Sequence, residues 1–322
     1  MSVGRRIDVA NALALAIALT SAAAIAYACS PRTAVGGAAI AVAAPTIVEA
    51  LPDGGVGVRG SDQVAVRVAD YRRIASLVPE ADEALAVMGM VDRLSAIGAY
   101  SRGHSVYARH LAAVPGTIAS GSGVEDVLTL KPDLVLVSAF SDPGRTERLR
   151  AAGIPVFHLG SASGAAEAAL AVRRIAALCG ESALGDRQAE RFLQRLARVA
   201  DPALSKTAAC YVECVGTQLF LASAGTNQSD ILVAAGFEDA AARVGYRGYG
   251  ECRIEDLLRI APAVIIAPVG SGATLAGLVG SAGIPAIAQH RIIEVDAGLL
   301  SSPGVAMLDA AEAVAAGRGR LP

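Results

Sequence analysis

The chain has 322 residues, enough for two ordinary domains each with its own core, and its 53% hydrophobic and 18% charged residues make a globular composition with an apolar lean. A formal net charge of -2, with no Lys/Arg-rich run interleaved with aromatics, leaves no electrostatic case for nucleic acid or for anionic lipid.

Residues 1–29 read as an export signal. Arg5 and Arg6 form a short positive stretch, and residues 9–28 are uncharged and rich in Ala, Leu and Ile. Ala26-Tyr27-Ala28 is the small-x-small pattern of a cleavage point. Cys29 follows at once, as in a lipoprotein box whose new N-terminal cysteine is acylated, so Cys29 is the expected lipidation site. An uncleaved anchor is the alternative, because about 20 apolar residues span a bilayer. The body is expected on the periplasmic or extracytoplasmic face of the cell membrane, touching the membrane only through this anchor. Residues 30–50 are rich in Ala, Gly and Pro and read as a tether.

Residues 51–162 are assigned to an N-terminal α/β lobe. Alternating runs at 56–58 and 64–68 suggest a small hairpin, after which buried strands alternate with amphipathic helices. In VEDVLTLKPDLVLVS (124–138), Val124, Val127 and Leu128 share a helix face and Pro132 stops the helix. Leu134 to Val137 then suit a buried parallel strand. Residues 163–205 are a helical linker in two segments. AAEAALAVRRIAALCG closes at Gly180, and 183–200 sets Ala189, Phe192, Leu193 and Leu196 at core spacing. Its arginines 187, 191, 195 and 198 face water.

Residues 206–322, the C-terminal α/β lobe, repeat the first. VEDVLTLKPDLVLVS matches IEDLLRIAPAVIIAP (254–268) at an offset of 130, and Gly153-Ile-Pro155 meets Gly283-Ile-Pro285 at the same offset. Upstream, EADEALAVMGMVDRL (80–94) matches NQSDILVAAGFEDAA (227–241) at an offset of 147, so the first lobe carries an insertion between its blocks. The Gly-Ile-Pro blocks are expected to end a helix and start a strand. A helix crossing between two such sandwiches holds them at a nearly fixed separation with a cleft between.

Cys179, Cys210, Cys214 and Cys252 remain beyond the signal. Four residues of strand put Cys210 and Cys214 roughly 13 Å apart, too far to bridge. A disulfide to Cys179 or Cys252 stays open, and buried or disulfide-linked cysteines are favoured over a zinc site, which no CxxC or neighbouring His supports. His104, His110, His158 and His290 are too scattered for a bare metal site, and His158 reads as a core histidine of a strand.

These features resemble the helix-bridged class of periplasmic solute-binding proteins that serve ABC importers of cobalamin, haem and iron-siderophores. The resemblance rests on RRIASLVPEADEALAVMGMVDRLSAIG (72–98), the 124–138 block, RLRAAGIPVFHL (148–159) and SSPGVAMLDAAEAVAA (301–316). It implies an α/β fold of two Rossmann-like lobes with mostly parallel sheets, joined by a long bridging helix, with the ligand cleft between the lobes. Val78-Pro79-Glu80 stands where the family carries a Ser-Pro-Ser/Ala turn, and Ala263 where it carries Asp.

The resemblance further implies a monomer that captures a small-molecule metal chelate and delivers it to an ABC permease dimer with its ATPase. The chain needs no resident cofactor. One glutamate per lobe docks on the permease, and the motif places these at Glu125 and Glu255. Each opens a helix, where the dipole favours a carboxylate. Cleft loops are expected at the carboxyl ends of the strands, with Tyr100, Arg102, His104 and Phe140 in the first lobe and Tyr246, Arg247 and Tyr249 in the second. Tyrosines stack on a flat macrocycle or ligate ferric iron, and arginines hold carboxylates. No HExxH, GxSxG or Walker loop is present, so no enzyme is expected. The alternatives are a membrane-tethered haem or chelate receptor without an importer and, behind it, a nitrogenase-like two-lobed enzyme.

Overall fold

The computed structural model describes residues 47–322 except 105, 162 and 205. The export signal with Cys29, and residues 30–46 of the tether, lie outside the described residues. The last tether residues do not behave as a tether. Val48–Ala50 forms β1, paired antiparallel with β2 (Val56–Arg59), and β2 pairs with β3 (Ala65–Arg67). The folded body therefore begins earlier than composition suggested, because backbone pairing outweighs an Ala/Gly-rich lead-in.

The first lobe runs β4 (Ile74–Ser76), α1 (Pro79–Val87), β5 (Leu94–Gly98), α2 (Ala99–His104), β6 (Gly116–Ile118), α3 (Val124–Thr129), β7 (Leu134–Val137), α4 (Pro143–Ala151) and β8 (Val156–His158). Its five strands are all parallel, in the order β6-β5-β4-β7-β8. The linker is two helices packed side by side, α5 (Ala165–Leu178) and α6 (Ser182–Leu196).

The second lobe contains β9 (Thr207–Val215), β10 (Gln218–Ala222), α7 (Asn227–Ala234), β11 (Phe237–Asp239), β12 (Tyr249–Cys252), α8 (Ile254–Ile260), β13 (Val264–Pro268), α9 (Ser271–Gly277), β14 (Ile292–Val295) and α10 (Met307–Arg318). Its sheet runs β12-β10-β9-β13-β14, with β11 beside β9, and β10 is the antiparallel member.

The repeat is visible in the backbone. Gly89 and Gly236, matched in sequence, take φ of 70° and 86° just past α1 and α7, the left-handed residue that ends a helix. Lys131 and Ala261, at the 130 offset, both adopt left-handed φ (48° and 47°) before the matched prolines. The Gly-Ile-Pro blocks diverge. Gly153 (φ 81°) ends α4 and leads into β8 as expected. Pro285 instead opens a helical turn, Pro285–Ala288, and β14 starts only at Ile292.

Period-two alternation sorts each buried strand between two cores. Leu134 and Leu136 of β7, and Val264 and Ile266 of β13, point into one apolar cluster. Val135 and Val137, and Ile265 and Ala267, point into separate outer clusters. The inner cluster also takes Val172 and Ile175 of α5, Phe192 and Leu196 of α6, and Met307 and Val314 of α10. Both lobes and the linker thus share one continuous core, the physical ground for a joint that moves little.

Candidate ligand-binding and docking site

The matched helices α3 and α8 divide labour between neighbouring acids. Asp126 reaches back to the Gly123 amide at 2.9 Å, and Asp256 to the Arg253 amide at 2.9 Å, each satisfying a donor at its helix start. The preceding glutamates, Glu125 and Glu255, are exposed and make no hydrogen bond or ion pair among the described residues. The capping need is already met by the aspartates, so the glutamates are left facing water at equivalent points of the two lobes.

Tyr246 belongs to this end of the second lobe. Its hydroxyl donates to Asp256 Oδ1 at 2.6 Å, and Arg259 of α8 both donates to that hydroxyl and lies over the ring, 5.1 Å from its centroid. The Tyr246 hydroxyl and the Arg253 amide hold Asp256 below the usual carboxylate range. Expected as a cleft residue, Tyr246 instead braces the helix that carries Glu255. Beside that helix, Val279 is 94% exposed and forms, with Gln218, Glu251, Arg253 and Leu278, an open groove of about 290 Å³.

The other sequence candidates fall in different places. Phe140 lies just past β7 and is 64% exposed, and Val269, just past β13, is 70% exposed. Each lobe therefore presents an apolar side chain at the carboxyl end of a central parallel strand. Tyr100 in α2 is 42% exposed, His104 closes that helix, and Arg247 is exposed. Tyr249 opens β12, stacks on Phe220 (centroids 5.6 Å apart, planes 6° apart) and donates to Glu213 Oε2 at 2.8 Å. Burial first, then the Glu213 charge, pushes its phenol up, so it stays a hydrogen-bond donor.

Arg102 differs from its expected use. Nε donates to Thr117 Oγ1 (3.1 Å), Nη1 to the Leu111 and Ala112 carbonyls, and Nη2 to the Val114 and Gly116 carbonyls (both 2.8 Å). A guanidinium has five N–H donors, and all are engaged in tying the approach to β6, which leaves none for a ligand anion. His158 Nδ1 accepts from the Gly160 amide at 3.2 Å and lies 2.6 Å from the Ser61 hydroxyl, and burial lowers its pKa.

The Val78–Ala81 turn, which departs from the family's Ser-Pro-Ser/Ala, is covered. Glu80, Asp82 and Glu83 are 4%, 0% and 2% exposed. Glu83 accepts the Ser302 hydroxyl at 2.6 Å and the Ala306 amide at 3.1 Å, so a second-lobe segment lies over this turn. Sequence reasoning did not single out these acids. The signal available was three carboxyls among four residues, at a turn where the family carries small neutral ones.

Cys179, Cys210 and Cys252 are buried free thiols and Cys214 is half-buried and free. Burial pushes the Cys179 thiol up to about 11 and Cys252 up to about 12, so these are inert packing groups. No cluster of three or more metal-ligating side chains occurs among the described residues.

Two α/β lobes bridged by helices, with an exposed glutamate at the same point of each, are the architecture of a two-lobed binding protein. A periplasmic binding protein family model matches residues 74–312, and the chain belongs to that family. The vitamin B12-binding protein of Pectobacterium carotovorum subsp. carotovorum strain PC1 is 31% identical over 172 residues, 52% of this chain and 61% of that protein. The matched part thus spans less than two thirds of that relative's length. Among solved structures, the periplasmic haem-binding protein RhuT from Roseiflexus sp. RS-1, in apo form, aligns with a TM-score of 0.66 at 22% identity. The alignment covers 76% of this chain and 97% of RhuT. The periplasmic vitamin B12-binding protein BtuF of Vibrio cholerae aligns with a TM-score of 0.62 at 23% identity, covering 78% and 98%. These relatives are binding proteins, and family membership implies a periplasmic or extracytoplasmic location.

Proposed function

We propose that this chain is the solute-binding receptor of an ABC importer for a bulky metal chelate (haem, cobalamin or a ferric siderophore). It takes the guest between the two lobes, converts nothing, and hands it to a permease dimer driven by an ATPase. Cys29 anchors it to the membrane as a lipoprotein, and it acts as a monomer of three parts, 48–162, 163–205 and 206–322.

The observation that carries the reading is the pair Glu125 and Glu255. A repeat that leaves one uncapped, unpaired glutamate at the same point of each lobe suits a two-fold symmetric partner with basic pockets. Phe140 and Val269 supply apolar lips for a macrocycle, with Tyr100, His104 and Arg247 as polar contacts. We assign Arg102 and Tyr246 to structure, and place Tyr249 at the edge of the second-lobe wall.

Absorption-monitored titration of the purified protein with haem, cobalamin and ferric siderophores tests the ligand class. One of these is expected to bind with a spectral change and to be recovered unaltered. Failure of all three to bind, or formation of a product, overturns the proposal.

A further inference from the structure

Two acids at matched positions of the repeat reach across the molecule in opposite directions. Glu83 on α1 and Asp230 on α7 share the 147 offset that matches Gly89 to Gly236. Glu83, in the first lobe, accepts the Ser302 hydroxyl and the Ala306 amide, just ahead of α10 in the second. Asp230, in the second lobe, accepts the Ala165 amide at 2.9 Å, at the head of α5 where the chain leaves the first. A glycine lies against each carboxylate, Gly304 at Glu83 and Gly164 at Asp230, and a methyl group on either would collide with the acid. Each lobe therefore holds the other's exit segment at a helix start, where orphan N–H groups and the dipole favour an acceptor.

The two halves differ in what surrounds the acid. Asn227 and Ser229 flank Asp230, and the matching positions beside Glu83 are Glu80 and Asp82. Asp82 is fully buried, and the only hydroxyls beside its carboxyl among the described residues are those of Ser101 and Ser76. The Ser76 hydroxyl donates to the Val78 carbonyl. From α10 and its approach, Asp309 and Ser302 face the group. Tyr107 faces it from the segment after α2, and Asn227 of α7 bonds the Ser302 carbonyl. Arg195 acts on Tyr107 and Asp309 but is ion-paired to Glu312 at 2.8 Å. No ion pair reaches Glu80, Asp82 or Glu83 among the described residues. Such a site holds one carboxylate with two donors, and further ionisation sets like charges together in a dry interior.

We propose that Glu83 and Asp230 form a reciprocal interlobe clasp, and that its first-lobe half is a proton-gated latch which loosens when Glu80 and Asp82 ionise beside Glu83. Burial raises Glu80 and Glu83 to about 7 and Asp82 to about 8. A carboxyl whose pKa is raised on folding binds more protons folded than unfolded. Its stabilisation is complete below about pH 4 and is lost as pH rises through the range of about 7 to 8.

Hydrogen exchange of the purified full chain, corrected for intrinsic rates, tests this at pH 6 and pH 9 on peptides covering 302–308 and 163–168. Protection at 302–308 is expected to fall by about tenfold or more, since each pH unit between a group's unfolded and folded pKa costs about a factor of ten, and pH 6 lies below the folded values while pH 9 lies above them. The 163–168 peptide should change much less. The double variant E80N/D82S, which gives the first lobe the neutral pattern of the second, should abolish the fall. Equal loss in both peptides, no loss in either, or an unchanged fall in the double variant would each overturn the latch. The difference between the two peptides is read in the wild type, so the test stands even if the variant does not fold.

Discussion

The two lobes are written on one plan and finished differently. The first is a purely parallel five-stranded sheet, whereas the second turns back through the antiparallel β9–β10 pair. Kept in both are the glycine stops after α1 and α7, the left-handed residues ending α3 and α8, and the exposed glutamates of those helices. Changed are the acid's neighbours, three carboxyls in α1 against one in α7, and the segment after the matched Gly-Ile-Pro. Features that set helix ends and present the glutamates are symmetric. Features that tune the joint are not.

The shared core gives the largest expected effect. Leu136→Ala in the first lobe and Ile266→Ala in the second remove fully buried side chains from the same cluster, and each should cost about 2–5 kcal/mol in urea unfolding. A single transition for both variants is expected; two separate transitions would break the picture of one core spanning both lobes.

Next come the clasp acids. Glu83→Ala leaves two donors without their acceptor and should cost about 3 kcal/mol, against about 1–2 kcal/mol for Asp230→Ala, which frees one. Equal losses would mean the halves are energetically alike. Capping is smaller still, with Asp126→Ala and Asp256→Ala each expected to lower stability by about 1 kcal/mol.

The smallest stability change is expected where the functional change is greatest. Glu125→Lys with Glu255→Lys should shift stability by no more than about 0.5 kcal/mol, because both side chains are exposed and unpaired. Ligand affinity should stay as it was while cellular uptake is lost. Uptake at the normal rate would remove the docking role.

Period-two runs and the internal repeat made the sandwiches, the two-segment linker and the helices that carry Glu125 and Glu255 legible in the sequence. Partnerships between distant residues were not legible. Glu83 meets Ser302 across 219 positions, and nothing in the periodicity of α1 points there. Arg102 looked like a ligand arginine because its residue type suits anions; its partners are main-chain carbonyls of a loop, which leave no trace in side-chain identity. Tyr246 and Tyr249 were both expected in one cleft loop, yet the two diverge, one toward Asp256 and the other onto Phe220. Pro285 was read as a strand entry by analogy with Pro155, and a helical turn intervenes.

A guest held between lobes that share a core should find its gap almost ready-made. Small-angle scattering of the protein, alone and saturated with the chelate that the titration selects, measures this directly. Radii of gyration that agree within error, with the ligand bound and intact, are the expected result. A large compaction on binding would show a flexible hinge between lobes that here share one core.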